Sequence, residues 1–252
     1  MKTIWAATAA FTILAAAAFG GGWPDGKKVA VVLTYDDALT SQLDIALPAL
    51  DAAGLKGTFF LTGAGLKPET IVRWRAAAAE GHELGNHTVF HACSRTAYPA
   101  PERYTTETYT VDTMLTEIRT MNAVLTAIDG KTSHAMATPC GAHIAGGVDY
   151  LPALRQSGMV QYDRGVGGTA GDPLDVPSVW FAGQATAADM IKAVEDAEKT
   201  GGMVVFGFHG VGGDYLTTTA EAHAEFVAWL KAHQSTVWVA PFSTVMDAAE
   251  KK

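Results

Sequence analysis

The sequence predicts an α/β fold: a mostly parallel sheet of about seven or eight strands, covered by helices and closing toward a barrel. Two observations lead there. From Lys28 onward, short β-rich runs alternate with helical stretches, and the runs are too many for a small open sheet. Chemically capable residues also stand where several runs end, and in parallel α/β architectures sites are built beyond the carboxyl ends of strands.

Taken in order, Lys2 precedes an uncharged stretch, Thr3 to Trp23, rich in Ala and ending in small residues. That layout, over residues 1–20, is a secretory signal peptide cleaved after Ala18 or Gly20. An uncleaved anchor is the rival reading, because about 20 apolar residues span a bilayer. Cleavage would give a secreted or periplasmic protein with no further membrane insertion. Residues 24–252 then form a single domain: 252 residues, 48% of them hydrophobic, suffice for one core, and nothing in the middle reads as a linker.

The β-rich runs are Val29 to Tyr35, Gly57 to Thr62, His82 to His87, Ala135 to Pro139, Met159 to Asp163, Val176 to Phe181, Met203 to His209 and Thr236 to Pro241. Between the third and fourth, Val111, Met114, Leu115, Ile118, Leu125 and Ile128 recur at helical spacing, and Gly130 supplies a stop. Residues 41–53, 186–199 and 217–233 are Ala-rich and amphipathic, the last with Phe226, Trp229 and Leu230 on its core face. Residues 93–105 read as a long loop containing Tyr98, Pro99, Pro101 and Tyr104.

The net charge of −8 comes from scattered carboxylates without a Lys/Arg cluster, which argues against nucleic acid as a partner. Export would place the two cysteines, Cys93 and Cys140, in an oxidising compartment. Whether they pair depends on a separation that sequence does not give. Oligomeric state is likewise not legible.

Two motifs carry chemistry. His87 and His91 in Gly85-Asn86-His87-Thr88-Val89-Phe90-His91 are four apart, so one helical turn could offer both imidazoles to one cation. Leu33-Thr34-Tyr35-Asp36-Asp37 ends an apolar strand in adjacent carboxylates, which point in different directions. One could bind a metal while the other faces an activated water, or Asp37 could simply cap the next helix.

The order Thr34-Tyr35-Asp36-Asp37, then Gly81-His82-Glu83-Leu84-Gly85-Asn86-His87-Thr88 with His91, then Thr138-Pro139-Cys140-Gly141, then Phe208-His209-Gly210 resembles the polysaccharide deacetylase family, carbohydrate esterase family 4 or NodB-homology domain. The resemblance spans residues 28 to about 247. It implies a distorted (β/α) barrel that deacetylates a glycan, with Asp37, His87 and His91 holding a divalent ion, commonly zinc and sometimes cobalt or nickel. It further implies Asp36 as general base, His209 as general acid, and a backbone N–H at Cys140, after Pro139, facing the oxyanion. Losing one such donor elsewhere costs about 3 kcal/mol.

Where the family usually has Arg-x-Pro-Tyr, this chain has Ala137-Thr138-Pro139-Cys140. The Arg that ordinarily pairs with the catalytic Asp is missing, and Arg164, a lone Arg after the fifth run, is the candidate replacement. A surface pairing of Arg164 with Asp163 or another carboxylate is the alternative. Asp163, Asp172 and Asp175, with Trp180, are the candidates for the motif that tunes the acid histidine, and Asp214 could instead sit beside His209. His82, His134, His143, His223 and His233 read as structural or exposed, with His143 notable for following the third motif. The substrate implied is an acetylated glycan, carrying N-acetyl on amino sugars or O-acetyl on xylan-type chains. A catalytically quiet glycan-binding protein on the same fold is the competing function.

Overall fold

The computed structural model describes residues 22–97 and 100–251. The expected signal segment, residues 1–20, lies outside the described residues, as do Tyr98 and Pro99 of the expected loop.

In chain order the elements are β1 (Val29–Asp36), α1 (Leu47–Ala53), β2 (Thr58–Leu61), α2 (Pro68–Ala79), β3 (Glu83–Asn86), α3 (Val111–Asp129), β4 (Met136–Ala137) and an antiparallel pair, β5 (Ile144–Ala145) and β6 (Val148–Asp149). There follow α4 (Leu151–Ser157), β7 (Asp163–Arg164), β8 (Val179–Trp180), α5 (Ala187–Glu198), β9 (Met203–Phe208), α6 (Ala220–Ala232), β10 (Val237–Val239) and α7 (Phe242–Glu250). The main sheet runs β7-β4-β3-β2-β1-β9-β8, with β10 also paired to β1. Every pair in it is parallel. β9 follows β1 from Ala30 to Tyr35, so β10 (against Val29–Val31) and β2 (against Thr34–Asp36) share the other edge.

The sheet curls until its two ends nearly meet. Arg164 of β7 bridges Val176, just before β8, through Gly165 N–H to Val176 O (2.9 Å) and Val176 N–H to Asp163 O (2.8 Å). The result is a distorted barrel, as expected.

Burial on both faces of β1 explains its unbroken apolar run. Val29, Val31, Leu33 and Tyr35 face the outer helices, while Ala30 and Val32 face an inner core with Phe60, Ala137, Val205 and α7 residues Phe242, Val245 and Met246. By the same two-residue period Thr34 and Asp36 point inward. α7 closes the interior at the strands' amino ends, where Phe242 N–H donates to Thr58 Oγ1 and Ser243 N–H to Glu83 Oε2. That leaves the carboxyl ends open.

The long helix is sealed as its sequence indicates, by the Thr110 side chain at its start and left-handed Gly130 at its end. Differences lie where periodicity is weak. The helix expected over 41–53 begins with a widened π turn at Gln42–Ala46, and the one expected over 217–233 starts at Ala220. α2, α4 and α7 went unpredicted; α2 buries only Thr70, Trp74 and Ala77, too few for a clear stripe. The fifth and sixth runs shrink to two-residue strands at the barrel's seam, where ladder pairing is least complete.

Candidate metal centre and catalytic site

The strand ends bring the predicted residues together. Asp36 and Asp37 close β1, His87 follows β3, Arg164 ends β7, and His209 follows β9. Asp37 Oδ1 lies 3.5 Å from both His87 Nε2 and His91 Nε2, and its Oδ2 lies 3.7 Å from His209 Nε2. The Tyr215 hydroxyl donates to that second oxygen at 2.7 Å. Asp37 is therefore no helix cap; its own φ is +81°, and the first helical turn is instead capped by Asp214, which accepts from Ser41 N–H at 2.8 Å.

The two histidines meet without a helix. Thr88 (φ +61°) and His91 (φ +53°) fold the segment into an irregular turn, correcting the helical placement, with the imidazole centroids 4.6 Å apart. Buried neighbours hold this turn. Asn86 accepts from Thr88 N–H and donates to Ile118 O on α3, and Glu117 accepts from the N–H groups of Val89 and Phe90. Left-handed backbone at non-glycine residues costs about 1–3 kcal/mol each and concentrates at functional sites. Here Asp37, Ala38, Thr88, His91 and Cys140 all adopt it.

Arg164 answers the departure in the third motif. Its side chain is fully buried and points inward, Nη2 donating to Asp36 Oδ2 at 2.5 Å. The guanidinium lies over the Trp180 ring (4.7 Å) and near the Phe60 ring (5.4 Å), so it is sandwiched as well as paired. Two glycines make room for those rings. A Cβ on Gly85 would sit 2.3 Å from Phe60, and one on Gly207 2.6 Å from Trp180.

Trp180 also packs on His209, centroids 4.9 Å apart. The carboxylates that sequence offered for tuning His209 are engaged elsewhere: Asp163 with Thr138 and His143, Asp172 with Arg155, Asp175 with Thr169. Gln42, in the π turn, was missed by sequence reasoning. Its amide donates to the carbonyls of Asp36 and His209, tying the ends of β1 and β9 together. Such a contact across 167 residues leaves no local signal.

The third motif forms a turn at Pro139–Gly141 with Cys140 at φ +54°. Cys140 is bonded to Cys93, Cα atoms 5.8 Å apart, which resolves the open question of pairing and ties this turn to the loop after His91.

Charge is arranged for a cation. Burial raises the Asp37 pKa, but His87, His91, the Tyr215 hydrogen bond and His209 together outweigh it and hold the carboxyl below its usual range. Burial, followed by the neighbouring His87, lowers the His91 pKa to about 4, against the pull of Asp37 and Asp36. Burial likewise lowers that of His209. A neutral His91 beside an ionised Asp37 is a donor pair in its binding-competent form. His87 Nδ1 is 2.6 Å from Ala137 O, so its N–H points there and Nε2 faces Asp37 Oδ1. Asp37, His87 and His91 offer ligand atoms all within 4.8 Å of one another, and Asp36 Oδ1 is buried with no hydrogen-bond partner. This donor set fits a divalent cation with open coordination positions.

The comparisons agree with the fold. A putative polysaccharide deacetylase from Mycobacterium smegmatis superposes with a TM-score of 0.65 at 20% identity, over 92% of this chain and 93% of that one. The Xyl-CE4 domain of a multidomain xylanase from the Trinervitermes trinervoides hindgut metagenome gives 0.57 at 17% identity, over 86% and 89%. The catalytic domain of peptidoglycan N-acetylglucosamine deacetylase from Eubacterium rectale gives 0.56 at 15%, over 87% and 91%. At such identities the likeness is one of fold, and the fold is that of the carbohydrate esterases of family 4. The sequence pattern of the polysaccharide deacetylases matches residues 24–160, and the chain belongs to that family. A gellan lyase of Bacillus sp. is 38% identical over 69 residues, 27% of this chain but only 3% of that protein.

Proposed function

We propose that this chain is a metal-dependent hydrolase that removes acetyl groups from a glycan. The observation that carries the reading is the convergence of Asp37, His87 and His91 beside an Asp36 held by Arg164, all at the open end of a deacetylase barrel. Asp37, His87 and His91 would hold the cation, zinc first and cobalt or nickel as substitutes, and a cation there supplies Lewis acidity to the acetyl carbonyl.

Asp36 serves as the base. Arg164 fixes Oδ2, while the unpartnered Oδ1 is available to take a proton from the attacking water. His209 delivers a proton to the leaving amine or alcohol, and Trp180 fixes the ring. The Cys140 N–H, set after Pro139, serves the oxyanion. Phe90 (42% exposed) and Tyr215 (48% exposed) flank the ligands and offer apolar faces to a pyranose.

Signal-directed export is part of the proposal, and the Cys93–Cys140 disulfide supports it, because such bonds persist in oxidising compartments. No helix among the described residues is long and apolar enough to cross a membrane. The test is acetate release from acetylated xylan and from N-acetylglucosamine oligomers with added zinc or cobalt. Release from either supports the reading and identifies the bond. Bound metal with no acetate from any acetylated glycan returns the chain to the quiet glycan-binding alternative.

A further inference from the structure

His143 and Asp163 take no part in the chemistry above, yet they meet directly beneath the turn that carries Cys140. β7 sends its two side chains to opposite faces. Arg164, paired with Ala137, points into the barrel, whereas Asp163, paired with Met136, lies on the outer face beside Tyr150. The Asp163 carboxylate is fully buried. Its Oδ2 accepts from Thr138 Oγ1 at 2.6 Å and lies 3.1 Å from His143 Nε2. Thr138 enters the Pro139–Gly141 turn and His143 lies just beyond it, so one oxygen holds both feet of the turn.

Tyr150 completes the cluster. Its N–H donates to the His143 carbonyl at 2.8 Å, its ring meets the imidazole edge-on at 5.5 Å, and its hydroxyl lies 3.4 Å from Thr138 Oγ1. The disulfide to Cys93 secures the apex. Burial disfavours a charged His143, but the Asp163 hydrogen bond and charge, with Asp175 and Asp149 further off, outweigh it and raise its pKa. Asp163 Oδ1 is buried without a partner. A carboxyl oxygen left without a partner in the interior is a poor device for stability alone, since an apolar packing would cost less.

We infer that Asp163, acting through Thr138 and His143, is a positioning residue that fixes the Cys140 N–H where an oxyanion forms. The inference rests on the deacetylase reading. Consecutive residues of one short strand then set the two halves of the site, Asp163 the oxyanion turn and Arg164 the base.

The test uses Thr138→Val, Thr138→Ser and His143→Gln in the full chain. Four quantities are read: kcat and KM for acetate release, bound metal per chain, and amide exchange at residues 140–142. Full loss of an oxyanion donor costs about 100- to 1,000-fold in kcat, so loosening one should cost about 10- to 100-fold. Thr138→Val and His143→Gln are expected to lower kcat by that factor with KM and metal content unchanged and with turn amides exchanging about tenfold faster. Thr138→Ser, which keeps the hydroxyl, should restore both. Wild-type exchange and turnover in Thr138→Val and His143→Gln would overturn the inference, as would faster exchange with unchanged kcat, or a loss that Thr138→Ser does not rescue. Exchange needs no turnover: a wild type that releases no acetate would sink the deacetylase reading while the amides still decide the clamp.

Discussion

Arg164 on β7 and Asp36 on β1 stand four strands apart in the sheet order yet share a buried hydrogen bond, where removing one partner leaves the other charge uncompensated. Breaking comparable buried pairs costs about 3–5 kcal/mol. Arg164→Ala should therefore lower both the melting temperature and kcat, the latter by about 100-fold or more, while the Asp37, His87 and His91 set keeps its metal. Turnover within a factor of two of wild type, with metal retained, would remove Arg164 from the catalytic account. His223 makes a different residue-scale prediction. It is buried against Tyr35, Nε2 to the hydroxyl at 2.7 Å, and burial lowers its pKa from near 6.5 to about 4. Between those values the unfolded chain binds a proton that the folded chain refuses, so stability is full above about pH 6.5 and is lost as pH falls toward 4. The difference is worth about 3 kcal/mol, and His223→Gln should flatten the acid limb of a melting-temperature profile. An unchanged slope would assign acid sensitivity elsewhere. At this scale the adjacent carboxylates and paired histidines were legible because their spacing is local. Arg164 was legible only as a lone Arg at a strand end, since its partner lies 128 residues away. Tyr215, whose hydroxyl reaches Asp37 across 178 residues, carried no sequence signal.

Among the elements, the turns matter more than the strands. Thr88 and His91 occupy left-handed backbone because Asn86 and Glu117, both buried, hold the segment from two sides. Helical spacing placed the imidazoles on one side correctly but gave the wrong local geometry; a tertiary clamp, invisible in a five-residue window, decided it. The Cys93–Cys140 bond connects the loop after this turn to the Pro139–Gly141 turn across 47 residues of sequence. Closing a loop of that length removes about 4 kcal/mol of unfolded-state entropy in the chain-entropy account. The Cys93→Ser/Cys140→Ser double variant should therefore melt well below the oxidised protein by calorimetry. An equal melting temperature would mean the bond contributes nothing to the fold. The expected helices with strong stripes and capping threonines formed nearly where predicted. The short strands at the seam did not, because their ends are set by curvature rather than by composition.

For the whole molecule, alternating runs sufficed to predict a parallel barrel, and the position of the site followed from the strand polarity. Sequence alone did not show how closure works: the Arg164–Val176 bridge joins the sheet's two ends and so brings β7 close enough to β1 for Arg164 to reach Asp36. Barrel closure and the Arg164–Asp36 pairing are thus one structural arrangement. The central claim is that Asp37, His87 and His91 hold the metal while Asp36 does proton chemistry. The most direct measurement is acetate release and bound metal, compared between wild type and Asp36→Asn with zinc supplied. The account predicts full metal content in both proteins and a turnover loss of about 100-fold or more in the variant, the range spanned by general-base catalysis. Undiminished acetate release by Asp36→Asn with its metal in place would contradict it.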